Sequence, residues 1–400
     1  MPLPVTPEYR RETRHRSAMS MHYIALLFLS LHWASVLYIN SSYLEQFASS
    51  KAVSVLYTAS AFLTILAFLY ASSILNRFGN TRVTITFSLI ELCALLGMAF
   101  TSHPVIAMVL FVVHQAVVPI LLFNLDIYLE TYIGKHEADT GKQRGILLTI
   151  MSLTTAVAPL FIGKALGSGT PDFTYAYLGS SFFLIPFLYI IFTHFKKFED
   201  PAYPDLRIRD GIFSFWNIRD VRNVFCAHFL LQFFFTWMVI YTPLYLSSVI
   251  GLSWEDIGAI LFVGLMAYVF LEYAIGFIAD SYLGEKEMMA FGFVITAIAT
   301  SWFIFLGDAS VTMWMFAMFM TRVGASFIET TTESYFFKHT QGKDTNVIGL
   351  FRITRPLSYV VGASFGGILL HYFTFEFLFI ILGFSMVPGL FFAMALRDTR

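Results

Sequence analysis

Two carboxylates one helical turn apart, Asp126 and Glu130, recur later in the chain as Glu329 and Glu333. The surrounding stretches, DIYLETYIGKH from 126 to 136 and ETTTESYFFKH from 329 to 339, align without a gap, so that two acids, a hydroxyl, Tyr, Lys and His coincide. An i, i+4 spacing puts both carboxylates of a pair on one helix face. Each pair lies at the end of a long apolar run, where an ionised group is costly unless it is paired or handles an ion. The chemistry open to such groups is proton or solute binding, or structural pairing between helices.

Other charges bear on that choice. Arg322, Glu329 and Glu333 fall at i, i+7 and i+11, with the two acids about 20° to either side of Arg322 on a helix, and form one polar stripe. Counted outward from the intervening loop, Glu333 and Glu329 reach depths similar to those of Arg352 and Arg355 on the next helix, so an ion-pair network of Glu329, Glu333, Arg352 and Arg355 is expected. The first half has Leu148 and Met151 where the arginines would be. A carboxylate withdrawn from water without a counter-charge can bind and release a proton, which makes Asp126 the first candidate for proton coupling and Glu130 the second. The plainer alternative is that both meet Lys142 or Arg144 at the helix mouth. Glu272, in the middle of another apolar run, is a third candidate, whereas Glu91 reads as an interhelical hydrogen-bonding residue.

The elements that must hold these groups follow from composition. The chain has 400 residues, 57% hydrophobic and only 13% charged, against about 25% charged in soluble domains. This excludes an ordinary soluble protein, and a net charge of -1 gives no sign of a nucleic-acid partner. Cys93 and Cys226 sit in apolar runs and read as packed side chains without a disulfide. Hydropathy predicts twelve spanning helices near 21–41, 52–75, 82–101, 104–132, 144–168, 174–194, 223–249, 255–281, 287–306, 310–337, 346–371 and 375–396. The first is too long for the core of a signal peptide and is expected to be retained. With the N-terminus placed in the cytoplasm, 20 of the 25 Lys and Arg residues fall on the cytoplasmic side, so both termini are expected there, most simply at the plasma (inner) membrane.

The duplication extends beyond the acid pairs. Tyr43-Leu44, Asn76, Gly79, Gly145 and Gly163 have counterparts in Tyr245-Leu246, Asp280, Gly284, Gly349 and Gly367 at offsets of 202 to 205 residues. An offset of six helices gives two halves of parallel topology: a six-helix bundle over 1–195, a cytoplasmic loop over 196–222 with an amphipathic piece near Ile212 and Phe213, and a second bundle over 223–400.

The turn GFIADSYLGEK, with Gly276, Asp280, Gly284 and Lys286, resembles the loop after the second helix of each half in the major facilitator superfamily. The turn SSILNRFGNTR, with Asn76, Arg77, Gly79 and Arg82, resembles the same loop but has Asn in place of Asp. The resemblance implies an all-α fold of two pseudo-symmetric six-helix bundles and a secondary transporter working by alternating access. It implies that Asp280 caps a helix start in the opposite half, near 141–145, as part of a gate, and that the Asn76 half of the gate is weaker. It also implies that helices one, four, seven and ten line the cavity. Their polar and aromatic residues His32, Asn40, Gln115, Asn124, Gln232, Trp237, Tyr241, Arg322 and Glu329 are therefore candidates to contact a solute. Expected partners are a small solute, protons and membrane lipids, with no cofactor or metal. The alternative is a transport-inactive receptor or interaction protein of the same fold. A membrane enzyme is disfavoured by the lack of a phosphate-loop motif or an H-E-x-x-H pair.

Overall fold

The computed structural model describes residues 7–133, 140–203, 212–213, 215, 217–307, 309–339 and 345–397. Within those helices and turns, the side chains of 7–18, 132–133, 140–145, 280–281, 337, 339, 345–350 and 352 lie outside the description. Twelve helices are long and apolar enough to cross a membrane, and no strand occurs among the described residues. In chain order they are α1 (Pro7–Leu37), α2 (Ser50–Leu69), α3 (Asn80–Phe100), α4 (Pro104–Ile133), α5 (Thr140–Leu166), α6 (Thr174–His194), α7 (Arg219–Leu244), α8 (Trp254–Ile278), α9 (Glu285–Ser301), α10 (Val311–His339), α11 (Thr345–Tyr372) and α12 (Phe375–Met394). An even number of crossings returns the chain to the face on which it began. That face is called the terminal face below, and the opposite one the far face.

Local chemistry sets the helix starts. Ser49 accepts a hydrogen bond from the Ala52 amide and Ser253 one from the Asp256 amide, capping α2 and α8 at equivalent places in the two halves. Gly79 and Gly284 precede α3 and α9 with φ of 79° and 82°. A side chain would be strained in that backbone conformation, which accounts for glycine at both positions of the repeat. Two spans are shorter than hydropathy predicts: α1 ends at Leu37 and is followed by a separate helix, Asn40–Glu45, and α2 ends at Leu69 ahead of a short helix, Ala71–Phe78.

The four helices α3, α6, α9 and α12 present large apolar side chains outward, among them Leu89, Phe182, Phe291 and Phe391, as a lipid-facing shell requires. Cys93 is exposed on this shell rather than packed inside, and Cys226 is half-buried; both are free thiols. The halves meet along two seams, α2 against α11 and α5 against α8.

Candidate functional site

Between the halves lies a cavity of about 430 Å³. Its lining comes from α1 (Trp33), α2 (Ser60, Thr64), α4 (Gln115, Asp126, Glu130), α5 (Leu147, Met151), α7 (His228, Gln232), α10 (Glu329, Glu333) and α11 (Arg355, Tyr359). Nearly all of these belong to the parts of their helices nearer the terminal face. The far face is shut by direct contacts between the halves. Lys51 Nζ lies 2.9 Å from His371 Nδ1, Ser54 Oγ 2.8 Å from Tyr241 Oη, and Thr58 Oγ1 3.0 Å from Ser364 Oγ. Ser248 donates to Glu45 Oε2 at 2.7 Å. On the second seam, Gly163 and Gly258 bring the backbones of α5 and α8 together. The molecule is therefore closed at one face and hollow towards the other.

On the α10 side of the cavity, Glu329 lies within electrostatic reach of Glu272, Glu333, Arg322 and Arg355. Ser152 of α5 donates to Glu272 Oε2 at 3.4 Å, linking this group to the opposite half. Three carboxylates and two guanidiniums are thus gathered here, and Glu333 has a further interaction partner. Among the described residues no ion pair joins Glu329 to Arg355. Instead the Arg355 guanidinium stands 5.1 Å from the centre of the Trp33 ring on α1, a cation–π contact between the halves. The Arg352 side chain, the other expected guanidinium, lies outside the described residues, so the remainder of the expected network is not described.

Of the nine expected solute-contacting residues, Gln115, Gln232 and Glu329 line the cavity. The other six lie elsewhere. Arg322 is 1% exposed, with its guanidinium 5.4 Å from the Phe234 ring centre; seven residues before Glu329 is about 10 Å along the helix, which takes it past the cavity. Trp237 and Tyr241 are buried, donating to the carbonyls of Gly362 and Ala363, and Tyr241 helps to close the far face through Ser54. Asn124 is buried, its carbonyl accepting from Asn80 Nδ2 at 2.9 Å. His32 and Asn40 point into the interior of the N-terminal half, where they join Glu91, His114, Tyr177 and Ser180. Of the proton-coupling candidates, Asp126 and Glu130 line the cavity, while Glu272 approaches it through Glu329 and Ser152. Asp126 and Glu130 each have an interaction partner.

The loop residues divide likewise. Asn76 donates to the Tyr203 carbonyl at 3.0 Å and so is tied to the segment after α6 within its own half. The start of α3 is capped by Asp200, whose Oδ1 accepts from the Asn80 amide at 2.7 Å and from the Tyr203 hydroxyl at 2.5 Å. Arg77 stacks on Phe78, Arg82 is exposed, Lys286 is half-buried, and Gly276 meets Thr330 of α10. The Asp280 side chain and the expected partner region 141–145 lie outside the described residues. Sequence reasoning did not single out Asp200, Trp33, His114 or His228, nor Glu285, a fully buried acid that accepts from Ser334 and Lys338. An acid immediately before a helix start is a recognisable cap; Asp200 follows α6 and caps α3 from 120 residues away, which no local pattern displays.

A family model described as the Major Facilitator Superfamily matches residues 23–282 and 224–400. Among solved structures, a mutant of the nucleoside transporter NupG aligns with a TM-score of 0.73 at 13% sequence identity, covering 94% of this chain and 99% of that chain. At that identity the likeness is one of fold. No curated protein sequence matches the chain.

Proposed function

The chain belongs to the Major Facilitator Superfamily, and from that premise we propose that it is a secondary transporter which moves a small polar solute by alternating access, driven by protons. The observation that carries this reading is the hollow between the halves, about 430 Å³, with polar side chains from both halves on a largely apolar wall and direct contacts that seal it at the far face. Alternating access needs such a site and a second, mirrored closure; the two seams, α2 with α11 and α5 with α8, are the surfaces along which the halves would rock. The Lys and Arg distribution supports a cytoplasmic terminal face, which makes this an inward-open state. Bundles spanning 1–195 and 223–400 are the moving bodies in this account.

The solute class is read from the cavity wall. Trp33 and Tyr359 offer aromatic rings, Gln115 and Gln232 offer amides, and Asp126, Glu130 and Glu333 offer acceptors for hydroxyl or amine groups. Such a wall suits a small solute carrying a flat ring and several hydrogen-bond donors, and nucleosides, named for NupG, are one class that fits. Proton drive is read from the grouping of three carboxylates, Glu272, Glu329 and Glu333, beside the cavity, among which one proton can be held.

The experiment is uptake into proteoliposomes across an imposed pH gradient, with a panel of nucleosides, sugars and organic amines first ranked by thermal shift of the purified chain. Accumulation of one class, collapsing when the gradient is dissipated, is the expected result. Binding of a solute with no uptake under any gradient would contradict it and favour a receptor with the same fold.

A further inference from the structure

The interior of the N-terminal half holds a polar cluster that the cavity does not use. Glu91 of α3, His32 of α1 and His114 of α4 are 0%, 0% and 1% exposed. Glu91 Oε1 lies 3.3 Å from His32 Nε2 and in direct contact with His114 Nδ1. The hydrogen bonds around the cluster fix which nitrogen carries which proton. Ser180 Oγ donates to the His32 carbonyl at 2.9 Å, so its oxygen can only accept from His32 Nδ1, 2.8 Å away. Tyr177 Oη donates to Asn40 Oδ1 at 2.8 Å, which leaves Asn40 Nδ2 to donate to His114 Nε2 at 3.2 Å. His114 is then a neutral imidazole whose Nδ1–H is given to Glu91.

His32 has no such settlement. Its Nδ1 proton is committed to Ser180, so a neutral ring would turn a bare lone pair on Nε2 towards a carboxylate oxygen. His32 Nε2 and Glu91 Oε2 are both buried and lack hydrogen-bond partners. Two acceptors facing each other in a dry interior are costly unless a positive charge is shared between them. The three ligand atoms lie within 4.8 Å of one another, close enough to suggest a metal ion. Charge decides against that. One proton on His32 balances one carboxylate, whereas a divalent ion would leave a net positive charge in a fully buried site. The contact between His114 and Glu91 also leaves no space for an ion between them, since a tetrahedral site needs each ligand about 2 Å from its metal.

We propose that His32, Glu91 and His114 form a proton-binding site within the N-terminal bundle, separate from the cavity carboxylates. The titratable and polar groups facing it are Glu91 from α3, His114 from α4, Tyr177 and Ser180 from α6, and Asn40 at the start of the helix Asn40–Glu45. Among the described residues no Lys or Arg pairs with Glu91. The site is placed to affect both faces. His32 is followed by Trp33, which meets Arg355 across the cavity. Asn40 begins the helix whose Ser42 and Glu45 reach Ser247 and Ser248 of the other half. Loss of the proton breaks the balance at the junction of α1 with that helix, and so bears on closure of the far face. This role in the cycle rests on the transport reading above; the binding of the proton does not.

The test is nitrogen-15 NMR of the full-length chain in lipid nanodiscs with ring-labelled histidine, at about pH 7, with His32→Gln and His114→Gln to assign two of the 10 histidines. His32 is expected as an imidazolium and His114 as a neutral ring protonated on Nδ1, with His32 becoming neutral in Glu91→Gln. A neutral His32 in the unmodified chain, or an imidazolium that persists in Glu91→Gln, would overturn the proposal. So would one equivalent of zinc that survives chelation and disappears in Glu91→Gln, since the site would then hold a metal. The unmodified spectrum is decisive by itself if a variant fails to fold. Uptake is measured separately: Glu91→Gln is expected to lower proton-driven accumulation at least tenfold with solute binding unchanged. A charged His32 in a chain that transports nothing would sink the transport reading and leave the site standing.

Discussion

Gly163 and Gly258 touch across the seam between α5 and α8: a Cβ added to Gly163 would fall 2.9 Å from the Gly258 Cα and 2.4 Å from the Trp254 carbonyl. Nothing larger than hydrogen fits there while the far face is shut. Both glycines lie at the far-face ends of their helices, so a bulky residue acts as a wedge against closure. Gly163→Leu is expected to make a cysteine introduced at Thr58 react with an impermeant maleimide at least tenfold faster from the far face, and to slow uptake by a similar factor. Unchanged labelling would show that the seam is not part of the gate.

Arg355 and Trp33 form the contact that crosses the cavity. A cation–π pair of this kind contributes about 0.5–2 kcal/mol. In a double-mutant cycle with Trp33→Leu and Arg355→Gln, a coupling energy of about 1 kcal/mol is expected in the affinity for a bound solute or in unfolding. Strict additivity of the two changes would remove the pair from the account.

Glu329 is the acid that meets both Glu272 and Glu333. Glu329→Gln removes one carboxylate from that group. Proton-driven accumulation is expected to fall at least a hundredfold while solute exchange between the two sides of the liposome, which needs no net proton movement, stays within about threefold. Equal loss of both activities would make Glu329 a binding residue and move the coupling role to Asp126 or to the His32 cluster.

Asp200 and Gly79 form one device at the start of α3. Asp200→Ala is expected to cost about 1 kcal/mol, the usual worth of a helix cap. Gly79→Ala puts a Cβ 2.7 Å from Asp200 Oδ2 on a backbone with φ of 79°, adding strain of about 1 kcal/mol. Both should lower the thermal midpoint by a few degrees, and a midpoint unchanged in either would show that the loop carries no load.

The duplication made the architecture legible: matched glycines and acids at one offset imply two copies of a six-helix unit, and apolar runs of this length can only be helices in lipid. The same repeat marked Asp126, Glu130, Glu329 and Glu333, all four of which line the cavity. What sequence could not supply was rotation about each helix axis. His32 and Trp33 are neighbours, and the 100° between them sends one into the N-terminal bundle and the other to the cavity wall. Two apolar surfaces, lipid and a neighbouring helix, look alike in composition, so a polar residue such as Asn40 or Trp237 carries no sign of whether its partner is a solute or another helix. Pairing at equal depth was equally silent on contact: Glu329 and Arg355 match in depth, yet the guanidinium rests on Trp33.

The central claim is that the two halves exchange one closed face for the other. It is tested most directly by electron–electron distance measurements on two spin-label pairs in nanodiscs, one replacing Lys51 and His371 on the far face and one replacing Thr131 of α4 and Lys338 of α10 near the terminal face. On adding solute and lowering pH, the first distance should lengthen as the second shortens, each by several ångströms. Distances that stay fixed in both pairs, or that lengthen together, would contradict the account.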